Sequence, residues 1–141
     1  MTSDTLVKTV FFSASRDVVW AYLTEKDKLA VWFHEADQDL TEGEPFNLLE
    51  AAPDGTKSRV CWGTVQKMVA PEELIYSFTI GPFEGALTKV TWRLEEMGAG
   101  TQLTLTHEGI AAAAGEAAMG LLLALDKGWD AHLARLREGA A

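Results

Sequence analysis

The sequence holds a single cysteine, Cys61. One thiol excludes an internal disulfide and any metal centre built from several cysteines, and it suits a reducing cytoplasm. Positive charge is also scarce. Twelve basic residues stand against twenty-one acidic ones, a formal net charge of −9 at neutral pH. Such a field repels phosphate backbones and anionic lipid heads, so neither nucleic acid nor a membrane surface is an expected partner. Long apolar runs are missing too. The most apolar stretch, residues 117–125, sits between Glu116 and Asp126 and falls well short of the ~20 residues that cross a bilayer. The opening MTSDTLVKTVFF lacks a basic start followed by an apolar run, so no secretory signal is expected and the expected location is cytoplasmic.

Chemical motifs are equally sparse. No serine sits in a Gly-x-Ser-x-Gly elbow and no glycine-rich phosphate loop is present, so no cofactor is implied. The stretch KLAVWFHEAD places His34 and Glu35 beside Asp37, but a zinc helix needs a second histidine four residues on, where Gln38 stands. If a strand starts near Phe33, then Trp32, His34 and Ala36 share one side and Phe33, Glu35 and Asp37 the other. His34 and Glu35 then point apart, and structural or surface roles are expected for His34, Glu35 and Asp37.

What is present is apolar and aromatic. Nearly half of the residues (48%) are hydrophobic and five are tryptophan, enough for one domain over residues 1–141 to bury a sizeable core. TLVKTVFF reads as a strand. Ser13 or Ser15 then caps a helix with Val19, Trp20 and Leu23 on its apolar face, and Thr24 caps a second, ending near Trp32. Extended segments follow, separated by turns at Gly43-Glu44-Pro45, Pro53-Asp54-Gly55, Pro71-Glu72-Glu73, Gly81-Pro82 with Gly85, and Gly98-Ala99-Gly100. Leu74, Tyr76, Phe78 and Ile80 alternate, as do Val90, Trp92 and Leu94, which implies an antiparallel sheet with one wet face. In the last third, Ala118, Leu122, Leu125, Trp129, Leu133 and Leu136 fall on one helical stripe. Each apolar face must cover the other, so the class is α+β: a curled antiparallel sheet wrapped around one long C-terminal helix, with two short helices after the first strand.

Several segments, in this order, carry a resemblance: VVWAYLTEKDKLAVWF, EGEPF, WGTVQKMVAPEELIYSF, VTWRLEEMGAGTQLTLTHEG and KGWDAHLARL. Together they resemble the SRPBCC (START-like, birch-pollen-allergen-like) superfamily, in its bacterial branch related to the activator of the ATPase of heat-shock chaperone ninety. The resemblance spans nearly the whole chain. It implies a helix-grip fold with an apolar cavity between sheet and long helix, beside which Trp32 and Phe33 sit. Members bind small hydrophobic molecules, and some relatives are cyclases, hydrolases or lipid carriers. The eukaryotic activators carry an additional N-terminal domain for the chaperone that has no counterpart here, so a cochaperone role is not expected.

Candidate ligand-binding residues follow from alternation and from this resemblance: Trp32, Phe33, Phe46, Tyr76, Phe78, Trp92, His107, Leu122, Leu125 and Trp129. His107 follows Leu103 and Leu105 at period two and should face the helix. There it is either a satisfied core histidine bonded to backbone or threonine, or a proton shuttle. His132 flanks the helix stripe near Trp129, and a metal site from His34, His107 and His132 has no support in spacing. Cys61 reads as a buried inert thiol. Trp62 turns outward if Gly63 and Val65 face in. Leu121, Leu123 and Met119 leave the start of the long helix apolar nearly all round, as at a cavity lid or a homodimer contact. The preferred function is binding of a small hydrophobic or aromatic molecule. The alternatives are a cyclase, dehydratase or hydrolase using His107 with Tyr76, and a chaperone-associated interaction protein.

Overall fold

Alternation decides the sheet. The computed structural model describes residues 5–81 and 86–140, so the turn expected at Pro82 and Gly85 lies outside the described residues. Its strands are β1 (Leu6–Phe12), β2 (Glu35–Ala36), β3 (Pro45–Ala51), β4 (Lys57–Val69), β5 (Glu73–Ile80), β6 (Thr88–Met97) and β7 (Gly100–Glu108). They form one curled antiparallel sheet in the order β1-β7-β6-β5-β4-β3-β2. The first strand therefore closes on the last, with Leu6 opposite His107 and Phe12 opposite Thr101. Along β6, Thr88, Val90, Trp92 and Leu94 are buried, and along β7 Thr101, Leu103, Leu105 and His107 are buried on the same face. The strand β2 falls where the sequence reading considers a strand from near Phe33, and it is too short to show a period.

Two short helices follow β1: α1 (Arg16–Thr24) and α2 (Lys26–Trp32). Ser15 caps α1, its hydroxyl accepting from the Val18 amide at 3.5 Å. Thr24 does not cap α2. It is the last residue of α1, and its hydroxyl donates back to the Trp20 carbonyl at 3.0 Å, the local bond that a helical threonine prefers. Asp39 supplies the missing acceptor from across the loop, taking the Lys26 amide at 2.9 Å.

The C-terminal third is not one uninterrupted helix. Helix α3 (Ile110–Ala114) ends at Gly115, whose φ of +60° suits a residue without a side chain. A single 3₁₀ turn leads into α4 (Ala118–Gly139). Trp129, Leu133 and Leu136 are the buried part of the stripe, each contributing about 1.5–3 kcal/mol of burial before entropy. Ala118, Leu122 and Leu125 are half-buried, and Met119 and Leu123 are exposed. Lys8 on β1 reaches α4 by pairing with Asp126 and, at 3.0 Å, with Asp130. On the outer face Trp62 lies under the Arg59 guanidinium, 3.9 Å from the ring centre, while Cys61 and Val65 point inward. No helix among the described residues is long and apolar enough to cross a membrane.

Candidate ligand recess

The site begins where α2 stops. Trp32, the last helical residue, is 1% exposed, and its indole N–H donates to the Tyr22 carbonyl at 2.7 Å. Phe33 then takes φ −124° and ψ −101°, neither helical nor extended, so the chain turns sharply before β2. The alternation assumed from Phe33 onward therefore does not apply. Phe33 stacks on Trp32 at 5.0 Å between ring centres and reaches Trp129 at 5.3 Å. His34 packs beside Phe33 at 4.8 Å and beside His132 at 5.4 Å. Glu35 points away to pair with Lys57, and Asp37 accepts from Asn47 on the surface. Of the three, His34 is half-buried against Phe33 and the His132 ring of α4, while Glu35 and Asp37 are on the surface.

Behind Phe33 the interior is filled. Trp92 crosses Trp32 at 5.9 Å and Trp129 at 5.6 Å, both edge to face, and donates its N–H to the Tyr76 hydroxyl at 2.9 Å. His107 is fully buried and both of its nitrogens are engaged. The Thr88 hydroxyl donates to the Phe78 carbonyl at 2.6 Å, so it accepts from His107 Nε2–H at 2.8 Å. Trp129 Nε1–H donates to His107 Nδ1 at 3.0 Å. An indole N–H cannot accept, so Nδ1 carries a lone pair and the ring is the neutral Nε2–H tautomer. Burial lowers the His107 pKa to about 4, in keeping with that lock.

A gap survives in front of this plug. A recess of about 170 Å³ is lined by Phe33, His34, Cys61, Phe78, Ile80, Leu125, Gly128, Trp129 and His132. A dry apolar cavity of ~150 Å³ is large enough for benzene, so a single aromatic ring fits here, whereas drug-sized ligands need ~300 Å³ or more. Wider hollows elsewhere are charged. The one of about 440 Å³ is lined by Arg16, Lys67, Glu72, Glu73, Arg93, Glu95 and Glu96, several of them in ion pairs.

A family model described as "Activator of Hsp90 ATPase homolog 1-like protein" matches residues 13–140. The chain belongs to this family. Solved structures agree on the fold. CalU16 from Micromonospora echinospora is 25% identical at a TM-score of 0.76, with 97% of this chain and 76% of that one covered. MLL2253 from Mesorhizobium loti is 22% identical at 0.75, with 96% and 95% covered. DynU16, a protein in the dynemicin biosynthetic locus, is 21% identical at 0.77; the match covers 97% of this chain but 47% of DynU16. A comparison with curated proteins gives no match.

The ten candidate residues divide between wall and core. Phe33, Phe78, Leu125 and Trp129 line the recess, whereas Trp32, Phe46, Tyr76, Trp92 and His107 are packed behind it and Leu122 is half-buried on α4. His34, Cys61, Ile80, Gly128 and His132 join the lining. The sequence reading sets His132 on the flank of the helix stripe near Trp129 without counting it as a ligand-binding residue; three residues after Trp129, it shares that face and lines the recess. His34 had no signal, because its position depends on the irregular Phe33 backbone. Tyr76 and His107 do not meet. Both stand opposite Val90 on neighbouring strands, two strand spacings or roughly 10 Å apart. Cys61 is held as a thiol, burial pushing its pKa up to about 12 with Glu50 adding to the effect. No group of three or more potential metal ligands gathers among the described residues.

The locked imidazole sets a pH dependence for the fold. The unfolded chain protonates His107 near pH 6.5, but the folded chain resists protonation until about pH 4. Above pH 6.5 neither state carries the proton and nothing is lost. As pH falls from 6.5 towards 4, the unfolded state gains it alone, and stability drops by about 1.4 kcal/mol per unit. Urea unfolding at pH 5 should therefore give a stability about 2 kcal/mol below that at pH 7 from this residue. In His107→Leu this part of the slope should vanish, and a wild-type stability flat over that range would contradict the lock.

Proposed function

We propose that the chain binds a small hydrophobic or aromatic molecule in the recess between Phe33, Phe78 and Trp129. The observation that carries this reading is an unfilled, largely apolar volume of about 170 Å³ in front of an otherwise closed aromatic core. Stacked and tilted rings on its walls suit a flat guest. The lining offers no carboxylate, and its histidines carry lowered pKa values, so it presents neutral groups at pH 7. His107 and Tyr76 are engaged in hydrogen bonds to core residues, which favours binding over acid–base chemistry by that pair.

Toluene is a suitable first probe. At a hundredfold excess over its dissociation constant, a guest that binds only the folded state should add about 2.7 kcal/mol to stability. Amide shifts should concentrate on Phe33, Phe78 and Trp129, and the guest should be recovered chemically intact. Wider panels of hydrophobic compounds recovered altered would favour the cyclase or hydrolase reading. Co-purification with a chaperone and indifference to every small molecule would favour an interaction protein. The binding reading fails if neither stability nor the recess resonances respond.

A further inference from the structure

The recess is apolar on its walls but carries two imidazoles, His34 and His132, whose rings meet edge to face at 5.4 Å. Neither belongs to the locked core network. His34 makes no hydrogen bond to any described residue, so its nitrogens are available to a guest. His132 is different, because one of its nitrogens is fixed by a neighbour. Arg135 Nη2 approaches His132 Nδ1 to 2.6 Å, and Arg135 Nε donates to the Trp32 carbonyl at 3.2 Å. A guanidinium has only donors. His132 Nδ1 lies between two neighbours: Arg135 Nη2, which calls for its lone pair, and the Trp32 carbonyl at 3.2 Å, which would accept a proton from it. Arg135 is the nearer, and its Nε already serves the Trp32 carbonyl, so the lone pair is assigned to Nδ1. With the ring neutral, its proton resides on Nε2, the nitrogen away from Arg135. Nε2–H has no partner among the described residues.

We infer that the guest is a phenol, whose hydroxyl accepts from His132 Nε2–H and donates to His34 while its ring lies against Phe33 and Trp129. A hydroxyl is the smallest group that uses a fixed donor and an adjacent open acceptor at once. The aryl ring matches the size and the aromatic walls of the recess. Arg135 is a positioning residue here: it touches no guest and selects the tautomer that His132 offers. The inference rests on the recess being the binding site.

The test compares p-cresol with toluene, which differ only by the hydroxyl. The wild type should bind p-cresol at least about tenfold more tightly, the increment of one or two neutral hydrogen bonds. His132→Phe reshapes the recess wall, so the readout is the ratio of the two affinities: the preference for p-cresol over toluene should be lost. Equal affinity of the wild type for both probes overturns the inference and leaves the apolar recess standing. A preference that persists in His132→Phe also overturns it. Binding of neither probe removes the recess reading and this inference with it. An independent readout needs no variant: the ring nitrogen-15 shifts of the free protein should show His132 protonated at Nε2, and protonation at Nδ1 would end the argument.

Discussion

Replacing Trp129 by alanine should destabilise the fold by about 3–5 kcal/mol, the largest loss expected from a single side-chain truncation here. Trp129 is 2% exposed and lies on the inner face of α4. Its ring touches Phe33, Phe78, Trp92, His107 and His132, so one side chain joins the end of α2, three strands and its own helix. Truncation opens a cavity that the neighbours cannot collapse into, because Trp32 and Trp92 are themselves pinned by their indole hydrogen bonds. It also strips the donor from His107 Nδ1. Trp129→Phe separates the two losses. It keeps most of the packing and leaves the buried nitrogen unpaired, which should cost about 1–3 kcal/mol. Chemical denaturation of both variants reads these values directly. A near-neutral Trp129→Ala would mean that α4 does not seat on the sheet as described.

The second large effect comes from a residue with no side chain. Gly63 lies in β4 opposite Phe46 on β3, and a β-carbon there would come within 1.8 Å of the Ser77 carbonyl oxygen on β5. Real β-carbons do not approach backbone oxygen so closely, so the two strands would have to part. The ladder is already modified at this point: the Thr64 amide donates to the Ser77 hydroxyl at 2.9 Å instead of to a carbonyl. Ser77 is buried, so these groups have no water to fall back on. Gly63→Ala should therefore cost more than the ~1–3 kcal/mol of ordinary overpacking, because backbone must move and ladder bonds are lost with it. Gly98→Ala is the control for loss of glycine alone: no atom lies within 4 Å of its added carbon, though its φ of +62° still carries a small strain. A Gly63→Ala variant as stable as Gly98→Ala would show that the two strands are not in this register.

Much of the architecture was legible because period-two and period-3.6 patterns are direct reports of which face is covered. The runs around Tyr76, Trp92 and Leu105, and the stripe through Trp129 and Leu136, place sheet and helix with no other information. The recess was less legible. Trp32, Phe46 and Trp92 are inward for the same reason as Phe78 and Trp129, and periodicity does not say which inward ring borders empty space. That depends on how far Phe33 turns at the end of α2, which one residue's dihedral angles decide. The Thr24 cap failed for a related reason: a better acceptor, Asp39, arrives from a loop thirteen residues from the amide it serves.

The pairing of Leu6 with His107 has a consequence for how the protein is made. On a ribosome adding ~5–20 residues each second, β1 waits roughly 5–20 s before its strand partner β7 has been translated. Val7 and Phe11, which remain exposed even after pairing, are then presented with both margins bare. Completion is a long-range closure, so refolding should be slow for a chain of this length and most prone to clumping in that interval.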